Sequence, residues 1–123
     1  MSSTFILALA AAFNLICTGA NTNGKMLDMS KKPSQVQTVL RVDLDNKRWC
    51  SGDCGSTAAI EEVTDTHIIF YRKDEKNFDD FMFVNRETGD YMQRYRSWLF
   101  DHVNLTQGAC EKSEFTGFPK RKF

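Results

Sequence analysis

The chain has 123 residues, and its 16 Lys plus Arg balance 16 Asp plus Glu, so it is formally neutral at pH 7. That balance excludes the broad basic footprint that nucleic acid requires, and with it a polybasic membrane surface. The one basic cluster, Lys120-Arg121-Lys122, lies at the C-terminal end and reads as a solvated tail.

Met1 to Ala20 carries no charged side chain, and Phe5 to Ile16 is a nearly unbroken apolar run followed by Thr18-Gly19-Ala20. A short apolar core with small residues after it is the layout of a secretory leader. The run is shorter than the roughly 20 apolar residues of a transmembrane helix. A lipoprotein leader would modify Cys17, but Ile16 stands where such leaders place a small residue. The pattern therefore predicts a leader over residues 1–20, cut after Ala20 or Gly19, and export to the periplasm or medium with no membrane span after cleavage. An uncleaved N-terminal anchor or a lipid on Cys17 is the alternative. Residues 21–37 read as a polar, loosely ordered segment, and residues 38–123 as a single β domain.

With Cys17 leaving in the leader, Cys50, Cys54 and Cys110 remain. An oxidising compartment makes a disulfide the default. Gly52 and Gly55 allow the chain to turn back sharply, which brings Cys50 and Cys54 together and leaves Cys110 free. The competing arrangement joins Cys110 to Cys50 or Cys54 and closes a far longer loop. Three residues separate the first pair, so the spacing is not that of a Cys-x-x-Cys redox site. No paired histidine spacing supports a metal, and no cofactor is expected.

In chain order, Leu40, Val42 and Leu44 alternate with Arg41, Asp43 and Asp45, the period-2 pattern of a half-buried strand. Asp45-Asn46-Lys47 is a turn, and Trp49 stands just before Cys50. Ala59 to Val63 leads into a polar turn at Thr64-Asp65-Thr66. His67-Ile68-Ile69-Phe70-Tyr71 is the strongest β segment, rich in β-branched and aromatic residues. Lys73 to Asn77 is a charged loop, and Phe81 to Val84 is apolar on both faces, as a central strand would be. Asn85 to Asp90 predicts a bulged hairpin with Gly89 at positive φ. The partner strand runs to about Arg96, with Tyr91, Gln93 and Tyr95 on one face. A short helical turn is expected within residues 97–105. The fold class is all-β, a small antiparallel meander or half-barrel of about five or six strands.

Several stretches carry a resemblance. They are Asp43-Leu44-Asp45-Asn46-Lys47-Arg48-Trp49-Cys50 with Cys54, Ile60 to Ile69, Val84-Asn85-Arg86-Glu87-Thr88-Gly89, then Cys110, Phe115-Thr116-Gly117-Phe118-Pro119 and Lys122-Phe123. Together they resemble a set of small exported bacterial β-proteins of unknown function, over most of the chain after the leader. The resemblance implies export, a small β architecture and the cysteine staple, and it implies no catalytic residue.

Candidates for chemistry are few. Glu61-Glu62 and Asp79-Asp80 are paired carboxylates, but neighbours on a strand point to opposite faces, so neither pair makes a glycosidase dyad. Asp79-Asp80, at the end of a charged loop, reads as solvated. Ser56 and Ser97 lack a nucleophile-elbow motif. Two function classes remain. One is a non-enzymatic exported module that binds a protein, a cell-envelope component or a small ligand, with Tyr91, Tyr95 and Trp98 as contact candidates and Tyr71, Phe115 and Phe118 behind them. The other is a small hydrolase or thiol enzyme using His67, His102 or Cys110. Convergence of a histidine, an acid and a nucleophile in one concavity separates them.

Overall fold

A computed structural model describes residues 11–28 and 32–118, and among these there is no helix. The strands are β1 (Ala12–Gly24), β2 (Ser34–Asp43), β3 (Arg48–Ser51), β4 (Ala58–Ala59), β5 (Glu62–Val63), β6 (His67–Asp74), β7 (Phe78–Asn85), β8 (Asp90–Ser97) and β9 (His102–Ser113). They form one antiparallel sheet in the order β4-β3-β2-β1-β9-β8-β7-β6-β5. Only β1 and β9, the first and last strands, are joined without a hairpin. The sheet curls into a half-barrel whose two edges are bridged by residues 58–63. In that stretch the Ile60 N–H donates to the Lys47 carbonyl at 2.9 Å and the Glu61 N–H to the Phe70 carbonyl at 3.2 Å.

Strand alternation sorts the side chains. Phe13 stands opposite Val42, Leu15 opposite Leu40 and Ile68 opposite Val84. All six face inward and join Ile60, Phe70, Met82 and Tyr91 in the core. A register shift between Ile69 and Tyr71 inserts an extra residue into β6. Such a bulge re-aims the following side chains, and both Phe70 and Tyr71 pack against the core cluster. The predicted hairpin at Gly89 forms: its φ is 81° and its N–H donates to the Asn85 carbonyl at 2.8 Å. Beyond β9 the chain folds back on the outer face, where Asn14 Nδ2 donates to Thr116 Oγ1 at 2.9 Å and Arg41 Nη1 to the Gly117 carbonyl at 3.1 Å.

Four expectations need correction. Nine strands occur among the described residues, against the five or six expected, because no strand was read at β1 or β9 and the 58–63 stretch breaks into two short strands. The expected loose segment is ordered at both ends: 21–24 complete β1 and 34–37 open β2. The expected leader boundary after Ala20 falls inside β1, which lies between β2 and β9. A cut there would remove Phe13, Leu15 and Cys17 from the core, so residues 12–20 serve the fold; the front of the expected leader, residues 1–10, lies outside the described residues. Residues 98–101 form the turn between β8 and β9 rather than a helical segment.

The cysteines are also rearranged. Cys17 bonds to Cys110, directly opposite it in the β1–β9 ladder with Cα atoms 3.9 Å apart. Cys110 is therefore neither free nor a partner of Cys50 or Cys54, and Cys17 carries no thiol for a lipid. Cys50 bonds to Cys54 across the loop after β3, where Gly52 and Cys54 have φ of 59° and 54°. Among the described residues no cysteine is free, the thiol state that an oxidising compartment maintains. No described helix is long and apolar enough to cross a membrane.

Candidate functional site

The concave face of the half-barrel holds an apolar core at one end and a cleft toward the other, where the β8–β9 turn lies. Seven strands line the cleft, with Cys17, Leu40 and Met82 beneath it, and its volume is about 240 Å³. Trp49 from β3 and Tyr71 from β6 face one another with ring centroids 6.2 Å apart and planes 22° apart. Trp49 also leans on Phe70 at 5.0 Å. Its indole N–H is buried and has no hydrogen-bond partner among the described residues.

A hydrogen-bond chain crosses the cleft. The Tyr91 hydroxyl donates to Gln93 Oε1 at 3.1 Å, and Gln93 Nε2 donates to the Tyr71 hydroxyl at 2.9 Å. The Tyr91-Gln93 alternation on β8 and the pairing of Gln93 with Met82, itself opposite Tyr71, produce this alignment. Burial pushes the Tyr71 hydroxyl up to about 12, with the Gln93 hydrogen bond opposing and the nearby Asp80 carboxylate adding to the rise. Burial also raises Asp80 above the usual carboxylate range, against the pull of Lys73. On the β9 side, Asn21 Nδ2 donates to Thr106 Oγ1 at 2.8 Å. Thr38 and Ser51 add hydroxyls, and no lining residue carries a formal charge. Such a lining suits an uncharged molecule with an apolar body and hydrogen-bonding groups, because a bare charge there would lose its water without a counter-ion.

The sequence candidates part company. Tyr91 is buried against the cleft, whereas Tyr95 packs its ring on Phe78 and His102. Trp98 stands on the β8–β9 turn with the Arg96 guanidinium 5.1 Å from its ring centre. Phe115 and Phe118 pack edge to face on each other at 5.3 Å in the returning tail. His67 opens β6 at the end near the Gly89 hairpin, and His102 opens β9 at the opposite end, so the two histidines do not converge. The Cys110 sulfur is taken by Cys17. Ser97 is buried, and its Oγ accepts from the Phe100 N–H at 3.1 Å. No group of three or more His, Cys, Asp or Glu suited to a metal occurs among the described residues.

Asp79 corrects the reading of a solvated carboxylate. It is buried on the outer face of β7, accepts from Arg96 Nε at 3.2 Å to each oxygen, and lies 3.5 Å from Arg94 Nη2. Asp80, one residue on, faces the concave side, as strand alternation requires. Sequence reasoning missed Trp49, Gln93 and Thr106 as cleft residues. The alternation on β8 placed Gln93 on the face of Tyr91, but nothing local showed that this face is concave. No protein-family model matches the chain, and no curated protein matches it.

Proposed function

We propose that the chain is an exported, non-enzymatic binding protein whose cleft takes a small uncharged ligand. The observation that carries this reading is the lining: an aromatic pair, Trp49 and Tyr71, beside a chain of neutral hydrogen-bonding groups, with charge only next to it, at Asp80 near the Tyr71 hydroxyl and its cross-strand neighbour Lys73. The cleft volume of 240 Å³ is below the roughly 300–1,000 Å³ of sites for drug-sized ligands. It suits a small molecule or one ring of a larger one, a cell-envelope component included. Two disulfides support export, and an export cut compatible with the fold falls before Ala12. No observation favours the hydrolase or thiol-enzyme reading, since His67, His102 and Cys110 are far apart in role and position.

The test is a thermal-shift screen of the oxidised protein against neutral and charged small molecules, followed by titration of the hits on tryptophan fluorescence. Neutral compounds are expected among the hits, and Gln93→Leu is expected to weaken them by about tenfold, the scale of one buried hydrogen bond. Hits confined to charged compounds, or affinities indifferent to both Gln93→Leu and Tyr71→Phe, would overturn the cleft as the site.

A further inference from the structure

The β8–β9 turn places three large apolar residues in succession at the tip of the sheet. Trp98, Leu99 and Phe100 are 49%, 66% and 75% exposed, and Leu27, in the turn after β1, is fully exposed. These four belong to one end of the molecule. The Met26 N–H donates to Asp101 Oδ1 at 3.1 Å, which ties the two turns together.

The tip is pinned in this position. The Trp98 N–H donates to the Asn77 carbonyl at 2.9 Å, the Phe100 N–H donates to Ser97 Oγ at 3.1 Å, and Asp101 closes the turn at a φ of 49°. The apolar side chains are thus held outward by a braced backbone, at the same end as the mouth of the cleft. Holding so much apolar surface in water is unfavourable unless something covers it.

We propose that this tip docks on a lipid bilayer. Shape separates a bilayer from a protein partner. Four exposed side chains offer roughly a few hundred Å², against about 800 Å² per partner in a stable protein interface. Lipid needs no complementary shape, because apolar side chains partition into it singly and tryptophan settles at the headgroup level. The Arg96 guanidinium, itself held by Asp79, lies 5.1 Å from the Trp98 ring centre and braces that ring at the tip. Charge sets the mode of binding: Lys25, Lys73, Lys76 and Arg96 on or beside the turns at this end are offset by Asp28, Asp74, Glu75, Asp79 and Asp101. Attachment therefore comes from apolar insertion, is reversible, and depends little on lipid charge or salt.

The experiment is co-sedimentation of the oxidised full chain with vesicles of phosphatidylcholine alone and of phosphatidylethanolamine with phosphatidylglycerol, at low and high salt. Binding to both is expected, with little loss at high salt, and bromine-labelled acyl chains should quench Trp98 more strongly than the half-buried Trp49. The Leu99→Ser, Phe100→Ser double variant, exposed at both positions, should keep the parent's melting temperature and lose binding about tenfold or more. No sedimentation with either lipid, or equal sedimentation of the variant, overturns the proposal. Binding restricted to anionic vesicles and abolished by salt overturns it in favour of a purely electrostatic contact. Concentration-dependent self-association that the same substitutions remove would assign the tip to a second copy instead.

Discussion

Asp79 shows how one side chain couples this fold to pH. Its hydrogen bonds from Arg96 and the charge of Arg94 hold the carboxyl below its ordinary range, against the opposing effect of burial. The unfolded carboxyl, at about 3.9, takes up a proton before the folded one does. The stabilisation is therefore complete above that unfolded value and is lost as pH falls through the folded one. Asp79→Asn is expected to cost about 1–2 kcal/mol at pH 7, between the exposed and the buried ion-pair cases, and to flatten the acid limb of stability. Urea denaturation at neutral and acidic pH measures both. Tyr71 shifts in the other direction. Its folded pKa of about 12 lies above the unfolded value of about 10, so its contribution is intact below the lower figure and lost as pH rises through the higher. In a spectrophotometric titration, Tyr71→Phe should remove the phenolate step near about 12.

At the scale of elements, the β1–β9 ladder is where the fold is most exposed to substitution. Gly19 and Gly108 face each other, and a Cβ on Gly108 would sit 2.0 Å from the Thr18 carbonyl oxygen and 2.4 Å from the Gly19 Cα. The backbones approach too closely for any side chain, a use of glycine that permits sharp coiling of a sheet. Gly108→Ala should destabilise by about 3 kcal/mol or more, in the range of core disruption, or abolish folding. The Cys17–Cys110 bridge spans 93 residues and the Cys50–Cys54 bridge spans 4. Chain-entropy arguments put the first at about 4–5 kcal/mol and the second at about 2. Cys17→Ser is therefore expected to lower stability more than Cys54→Ser does, as denaturant melts of the two variants would show. Non-reducing peptide maps should recover both linkages, and a Cys110 peptide joined to Cys50 or Cys54 would contradict this ladder.

For the whole molecule, the position of β1 constrains where any export cut could fall. The strand holds one face of the core and one half of a disulfide, so a mature chain beginning at Asn21 would lack both. Intact-mass analysis of protein recovered from outside the cytoplasm should find a product that still contains Phe13 to Ala20. A soluble, folded product that begins at Asn21 would refute this. The curl of the sheet also gives the molecule two unlike ends. One is filled by the core, and the other holds the cleft beside a braced apolar tip.

By itself the sequence determined the features that depend on near neighbours. The all-β class, the strand over His67 to Tyr71, the hairpin at Gly89 and the Cys50–Cys54 loop each follow from alternation, glycine or short spacing within a few residues. Only the tertiary structure decided the part that Ala12 to Ala20 plays. Phe13, Leu15 and Cys17 alternate with Asn14, Ile16 and Thr18 as a strand buried on one face, yet Leu15, Ile16 and the alanines before Phe13 make the same letters read as a leader. The choice rests on pairing with β2 and β9, and β9 begins 78 residues after Gly24 ends β1. The cleft was equally hidden, because Trp49, Tyr71, Gln93 and Thr106 come from four strands and become neighbours only when the sheet curls. Period 2 says which side chains share a face; whether that face is concave depends on sheet coiling, bulges and closure, which are long-range properties of the packed chain.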